Sequence, residues 1–344
     1  MPAATLKLLI HKVADGKTLS DDEMRTALEI MTDGHATPAQ MGAFLMALRV
    51  RGETVEEITG ATQMMRAKMR RVVAPAGALD IAGTGGDSHG TFNVSTCSAL
   101  VAAGAGLKIA KHGSRSVSSL AGSSDVLSTL GIKLDVSTAT IERAIAEAGV
   151  GFMFAPNHHP AMKHWAPVRA ELGVRTIFNL LGPLCNPASV TRQVIGVYSW
   201  QWVEPVAHVL AGLGSERVWV VHGHDGMDEL TTTGSTDIAE VRDGKVTVFE
   251  ITPQDAGLPP AKLSDLRGGD AAFNAAAIRA VLDGDRGPFR DIVLLNSAAA
   301  LVVGGKAVSL IDGVELASAS IDSGAARAAL AKLVEVTNRV VEPM

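Results

Sequence analysis

With 344 residues, 47% of them hydrophobic, the chain has ample apolar material for a large buried core. Its 31 Lys and Arg against 36 Asp and Glu give a formal net charge of -5, which argues against a reader of nucleic-acid phosphate backbones, since that role needs a basic face. No apolar run approaches the ~20 residues that cross a bilayer, and Cys97 and Cys185 form neither a C-x-x-C motif nor a disulfide framework. The opening MPAATLKLLIHKVADGK is too weakly apolar for a signal peptide. A cytoplasmic enzyme with no membrane or nucleic-acid partner is expected, its cysteines serving as small core residues.

The first seventy residues carry three capping boxes, Ser20 with Glu23, Thr37 with Gln40 and Thr54 with Glu57, and Pro38 strengthens the second. Behind them apolar residues recur at helical spacing: Met24, Ala27, Leu28 and Met31, then Met41, Phe44, Leu45 and Leu48. Met64, Met65 and Met69 read as helix packing. An all-helical N-terminal unit follows.

From Ala78 short β-rich runs alternate with helical ones: ALDIAG, a helix to Ala105, LKIAKHG, a helix near SDVLSTLG, and GVGFMFAP. A strand is expected near Val194 to Tyr198, and ERVWVVHG and DIVLLNSAAA read as further strands. AEVRDGKVTVFEI predicts a hairpin turning at Asp243-Gly244. NLLGPLCNP reads equally as an interdomain hinge or a fixed connecting turn. The fold class is α/β: a small all-helical domain plus a larger domain with a mostly parallel central sheet flanked by helices. The helical domain takes residues 1–70 and an excursion at about 159–182; the α/β domain takes 73–158 and 183–344, with the active site in the cleft.

Three loops carry chemistry. Gly83-Thr84-Gly85-Gly86-Asp87 follows a strand, and Asn93-Val94-Ser95-Thr96 stands where the next helix begins. Such a turn lets amides approach an anion beside a helix N-terminus, although it fits neither G-x-x-x-x-G-K-[ST] nor G-x-G-x-x-G and taken alone reads more readily as a tight turn. Lys111-His112-Gly113-Ser114-Arg115-Ser116-Val117-Ser118-Ser119 follows the next strand, placing two cations and several hydroxyls at a sheet edge where ligands bind. Asp225-Gly226-Met227-Asp228-Glu229 sets carboxylates at a strand end, either as an acidic helix start or as a seat for Mg²⁺ bridging to phosphates. His158, His159 and His164 lack a cysteine or spaced carboxylate to complete a zinc set.

The order of GTGGD, NVST, KHGSRS, AGSSD, FAPNHHPAMKHWAPVRAELGVRTIFNLLGPLCNP and DGMDE resembles the anthranilate phosphoribosyltransferases over essentially the whole chain. The resemblance implies transfer of the phosphoribosyl group of phosphoribosyl pyrophosphate to anthranilate, in tryptophan biosynthesis, with Mg²⁺ as cofactor and a homodimer formed through the helical domain. It implies that Gly83, Gly86, Asp87, Thr91, Asn93, Val94, Ser95 and Thr96 hold the donor, with Lys111, His112, Gly113, Ser114, Arg115, Ser116, Val117, Ser118, Ser119 and Ser123 completing the cradle. Ser95, Asp228 and Glu229 match its metal positions; Gly83, Ser114, His159, Met162 and Arg169 match its acceptor site. An aromatic amine needs no strong base, and no residue is assigned as acid or base.

The chain departs from the family pattern in one stretch, where Ser114, Leu120 and Ala121 replace the usual Asn, Lys and Ser, which predicts weakened substrate binding. A pyrimidine nucleoside phosphorylase and a non-catalytic nucleotide- or nucleic-acid-binding relative are the alternatives; the paired acids disfavour the first and the net charge the second.

Overall fold

The computed structural model describes residues 2–86, 89–114 and 121–339. Four helices open the chain: α1 (Pro2–Ala14), α2 (Asp21–Thr32), α3 (Pro38–Arg51) and α4 (Val55–Lys68). The last three begin at the expected capping boxes, each hydroxyl accepting the N3 amide while the N3 side chain accepts the N-cap amide. Glu57 also ties the helices together. Fully buried, it accepts the amide of Leu19 at 2.8 Å and pairs with Arg51. Every apolar residue of the two helical stripes read from the sequence is buried.

The sheet contains β1 (Leu79–Gly83), β2 (Ile109–Gly113), β3 (Val150–Phe154), β4 (Arg192–Gly196), β5 (Arg217–Gly223), β6 (Thr236–Arg242) and β7 (Lys245–Ile251). Its order is β3-β2-β1-β4-β5-β6-β7; neighbours are parallel from β3 to β5, and β6 and β7 are antiparallel. Asp243 and Gly244, at φ 52° and 74°, make the predicted hairpin turn.

The later helices are α5 (Val94–Gly104), α6 (Ser123–Thr129), α7 (Thr138–Ala148), α8 (Ala155–His158), α9 (Trp165–Leu172), α10 (Phe178–Leu184), α11 (Val203–Gly212), α12 (Ala271–Leu282), α13 (Pro288–Val303), α14 (Leu310–Asp322) and α15 (Ala325–Asn338). Side chains alternate along β5 between two cores. Trp219 and Val221 pack with α5 and α12 to α15, whereas Val218 and Val220 join a core that includes α11 and the N-terminal helices. Trp165, Val168 and Phe178 belong to that second core, so α9 and α10 pack with the opening helices. Among the described residues no helix is long and apolar enough to cross a membrane.

DIVLLNSAAA is not a strand: it lies within α13, which starts at Pro288 and is buried nearly all round. A helix enclosed on every side loses the polar stripe that reveals its period, so its apolar run mimics a buried strand. NLLGPLCNP lies mostly in α10, and Asn186 at its end is anchored to the sheet, donating to Asp80 Oδ2 at 2.7 Å and Ala110 O at 2.9 Å. That anchorage favours the fixed connection.

Candidate active site

In this sheet the winding reverses between β1 and β4, and the crevice beyond the carboxyl ends of such strands is where open α/β sheets bind ligands. Gly83 and Gly196 end those strands in register. Asp228, from the loop after β5, lies over both: a Cβ on Gly83 would strike its Oδ2, and a Cβ on Gly196 its carbonyl oxygen. Asp228 Oδ2 accepts the Gly85 amide at 2.6 Å, joining two turns 143 residues apart. Gly85 and Gly86 adopt φ of 68° and 82°, a region that side chains disfavour. Thr84 fixes the turn to β4, its amide donating to Gly196 O at 2.9 Å and its hydroxyl accepting the Tyr198 amide at 3.0 Å.

The α5 helix begins beside this turn. Among the described residues no side chain caps it and its own first turn holds no acid, so no residue of the helix itself offsets the partial positive charge of its start. Asn93 is engaged elsewhere, accepting from Asn274 at 2.9 Å and donating to Ala121 O at 3.4 Å. Val94 is buried in the core, and Thr96 Oγ1 is buried with no hydrogen-bond partner among the described residues. Lys111, only 3% exposed, donates to Ile81 O at 2.5 Å and to Ser95 Oγ at 3.2 Å. Burial lowers its pKa, opposed by the carboxylates of Asp80, Glu229 and Asp228. Burial raises that of Asp80 to about 6, against the pull of Lys111, Asn186 and the His112 amide. Both members of the pair move toward neutrality, so desolvation outweighs their mutual attraction.

His112 follows Lys111. Its Nδ1 lies 3.1 Å from Gly182 O, which can only accept, so Nδ1 bears the proton and Nε2 accepts from His159 Nε2 at 3.2 Å. Burial is the first cause lowering both pKa values, that of His159 to about 4. His159 Nδ1 is buried and makes no hydrogen bond of good geometry among the described residues. Met162 is half-buried against the helical core. Arg169, on α9, places its guanidinium 5.2 Å from the Phe178 ring centroid and has no carboxylate within ion-pair distance among the described residues.

Gly83, Ser95, Lys111 and Asp228 are thus brought together, with Glu229 near enough to act on Lys111. At the exit of β2, Gly113 packs under Ser123, whose hydroxyl donates to Ser114 O at 3.3 Å. Thr91 lies to one side, bridged to Arg267. No hydrogen bond or ion pair joins Met162 or Arg169 to the glycine turn among the described residues. Asp87, Arg115, Ser116, Val117, Ser118, Ser119 and Leu120 fall outside the described residues.

Three residues escaped the sequence reading. Arg175 donates to Gly86 O and stacks over Tyr198, 4.6 Å from its centroid, placing a cation at the glycine turn. Its sequence signal was a second arginine in the VRAELGVRT stretch. Asp80 and Asn186 form the buried support beneath Lys111 and His112. A carboxylate inside the apolar run ALDIAG was the available clue.

The fold and this site define a glycosyl transferase. The family model described as "Glycosyl transferase family, helical bundle domain" matches residues 7–69, and "Glycosyl transferase family, a/b domain" matches 76–327; the chain belongs to this family. Its relatives are anthranilate phosphoribosyltransferases, as the motif order implied. The one from Rhodopseudomonas palustris strain BisB18 is 59% identical over 332 residues, covering 96% of this chain and 98% of the relative. The solved structure of the Thermus thermophilus enzyme is 42% identical with a TM-score of 0.91, covering 98% of this chain and all of that one. The Saccharomyces cerevisiae enzyme in complex with PRPP and Mg is 31% identical with a TM-score of 0.88, covering 97% and 98%.

Proposed function

We propose that the protein transfers the phosphoribosyl group of phosphoribosyl pyrophosphate to the amine of anthranilate, releasing pyrophosphate. The observation that carries this reading is the Gly85 to Asp228 hydrogen bond over the switch point, with buried Lys111 alongside. Asp228, Glu229 and the Ser95 hydroxyl offer the hard oxygen donors that suit Mg²⁺ and would hold it. When bound, the ion supplies positive charge to a diphosphate leaving group. Lys111, the start of α5 and the amides of the glycine turn stabilise the negative charge that builds as the anomeric C–O bond breaks. Arg175 adds a second cation from the far side of Gly86.

On the acceptor side, Arg169 pairs with the anthranilate carboxylate, a bidentate geometry suited to guanidinium. His159 and Met162 line the channel. The aromatic amine attacks without a strong base, in keeping with histidines that burial holds neutral. Loss of anthranilate fluorescence that requires both phosphoribosyl pyrophosphate and Mg²⁺ tests the reading; unchanged anthranilate with both present overturns it.

The helical domain of residues 1–70 and about 159–182 is supported by the core that α9 and α10 share with the opening helices. A homodimer through that domain is supported by Leu8 and Val50, apolar and 70% and 81% exposed. A cytoplasmic location accords with Cys97 and Cys185, both free and buried.

A further inference from the structure

Outside the crevice, three ligand-bearing side chains converge at the open edge of the antiparallel part of the sheet. His224 directly follows β5, Asp237 is on β6 and Glu250 on β7. Asp237 and Glu250 are register partners, so their carboxylates stand opposite one another on the same face. Like charges so placed repel. His224 Nε2 lies 3.1 Å from Asp237 Oδ1 and 3.7 Å from Glu250 Oε2, and the three ligand atoms all fall within 4.8 Å of one another. One imidazole offsets at most one of the two negative charges, and only when protonated.

We infer that His224, Asp237 and Glu250 form a binding site for a zinc-type divalent cation, separate from the Mg²⁺ site. Ligands about 2.0–2.1 Å from a tetrahedral zinc are about 3.3 Å apart, a value bracketed by the 3.1 and 3.7 Å spacings around His224 Nε2. One imidazole nitrogen and two carboxylates suit Zn²⁺, whereas Mg²⁺ prefers oxygen throughout. Half-exposed side chains leave the fourth position to water. The bound ion clasps the two ends of the segment that carries Asp228 and Glu229, because the His224 amide already donates to Ser235 O at 2.9 Å, two residues before Asp237. It braces the acidic turn from behind without touching its carboxylates.

Calorimetric titration with ZnCl₂, in excess MgCl₂ to occupy the hard-oxygen site, tests this. One equivalent of Zn²⁺ binds the wild type and raises its unfolding midpoint; affinity falls at least about tenfold in each of His224→Ala, Asp237→Asn and Glu250→Gln, as expected on losing one of three ligands. Circular dichroism of the variants confirms that they are folded, and the exposed Glu250→Gln change leaves the core intact in any case. No uptake by the wild type, or equal uptake by wild type and Glu250→Gln, overturns the assignment.

Discussion

Gly196 and Asp228 are packed so closely that a side chain on the glycine would occupy the position of the aspartate carbonyl. The end of β4 therefore sets how far the acidic turn descends toward β1, and the same aspartate closes onto the glycine turn through the Gly85 amide. A residue with no functional group of its own thus fixes the position of a proposed metal ligand.

Gly196→Ala forces the Asp228 backbone away from β4, and with it the neighbouring Met227 and Leu230, which are buried in the core. Since a misplacement of about 1 Å costs on the order of 10²-fold in rate, kcat/KM should drop by at least about that factor, together with a loss of stability to urea. Steady-state kinetics checks it, and wild-type activity in the variant contradicts it.

We propose that the two arginines divide the substrates. Arg169 stands on the helical side against Phe178, and Arg175 reaches Gly86. Arg169→Ala should raise KM for anthranilate by about tenfold or more with a smaller effect on the donor, and Arg175→Ala the reverse, each losing one charge-assisted contact. Equal effects on both substrates would remove the division.

Acid should destabilise the protein through its histidines. The pKa of His159 falls to about 4 in the folded state against 6.5 for an ordinary imidazole, so the unfolded chain binds the extra proton. Its contribution, on the order of 3 kcal/mol, is complete above about pH 6.5 and is lost as pH falls through about 4. Asp80 works in the opposite sense: its pKa is raised from 3.8 to about 6, so its contribution is full below about 3.8 and declines as pH rises through about 6. His159→Gln should flatten the fall in urea-unfolding stability between pH 6.5 and 4. An unchanged slope would assign the acid sensitivity to other groups.

Ser114 sits at the exit of β2, its carbonyl held by Ser123. Ser114→Asn restores a longer amide there and should lower KM for anthranilate about fivefold, the equivalent of one hydrogen bond of about 1 kcal/mol. No improvement would show that this departure has no bearing on affinity. Ala121, by contrast, is buried in the core.

Local physics made much of this molecule legible. The three capping boxes and the Asp243-Gly244 turn depend on residues a few positions apart, and each stands where its pattern places it. The α13 helix was hidden because uniform burial erases periodicity. In the site, Lys111 and Asp228 were readable from the chemistry of their loops, but Asp80, Asn186 and Arg175 act through partners far along the chain. Asn186 reaches Asp80 across 106 residues and Arg175 reaches Gly86 across 89, distances over which no local pattern carries information.

We propose that the acidic turn, seated over the β1 and β4 termini, holds the donor through a divalent ion. Calorimetric binding of phosphoribosyl pyrophosphate to wild type and to the double variant Asp228→Asn, Glu229→Gln, with and without Mg²⁺, tests it most directly. The wild type should bind at least about tenfold more tightly with Mg²⁺, and the folded variant should lose that difference, as expected when both carboxylate ligands are removed. Mg²⁺-dependent binding of equal strength in the two proteins would contradict the account.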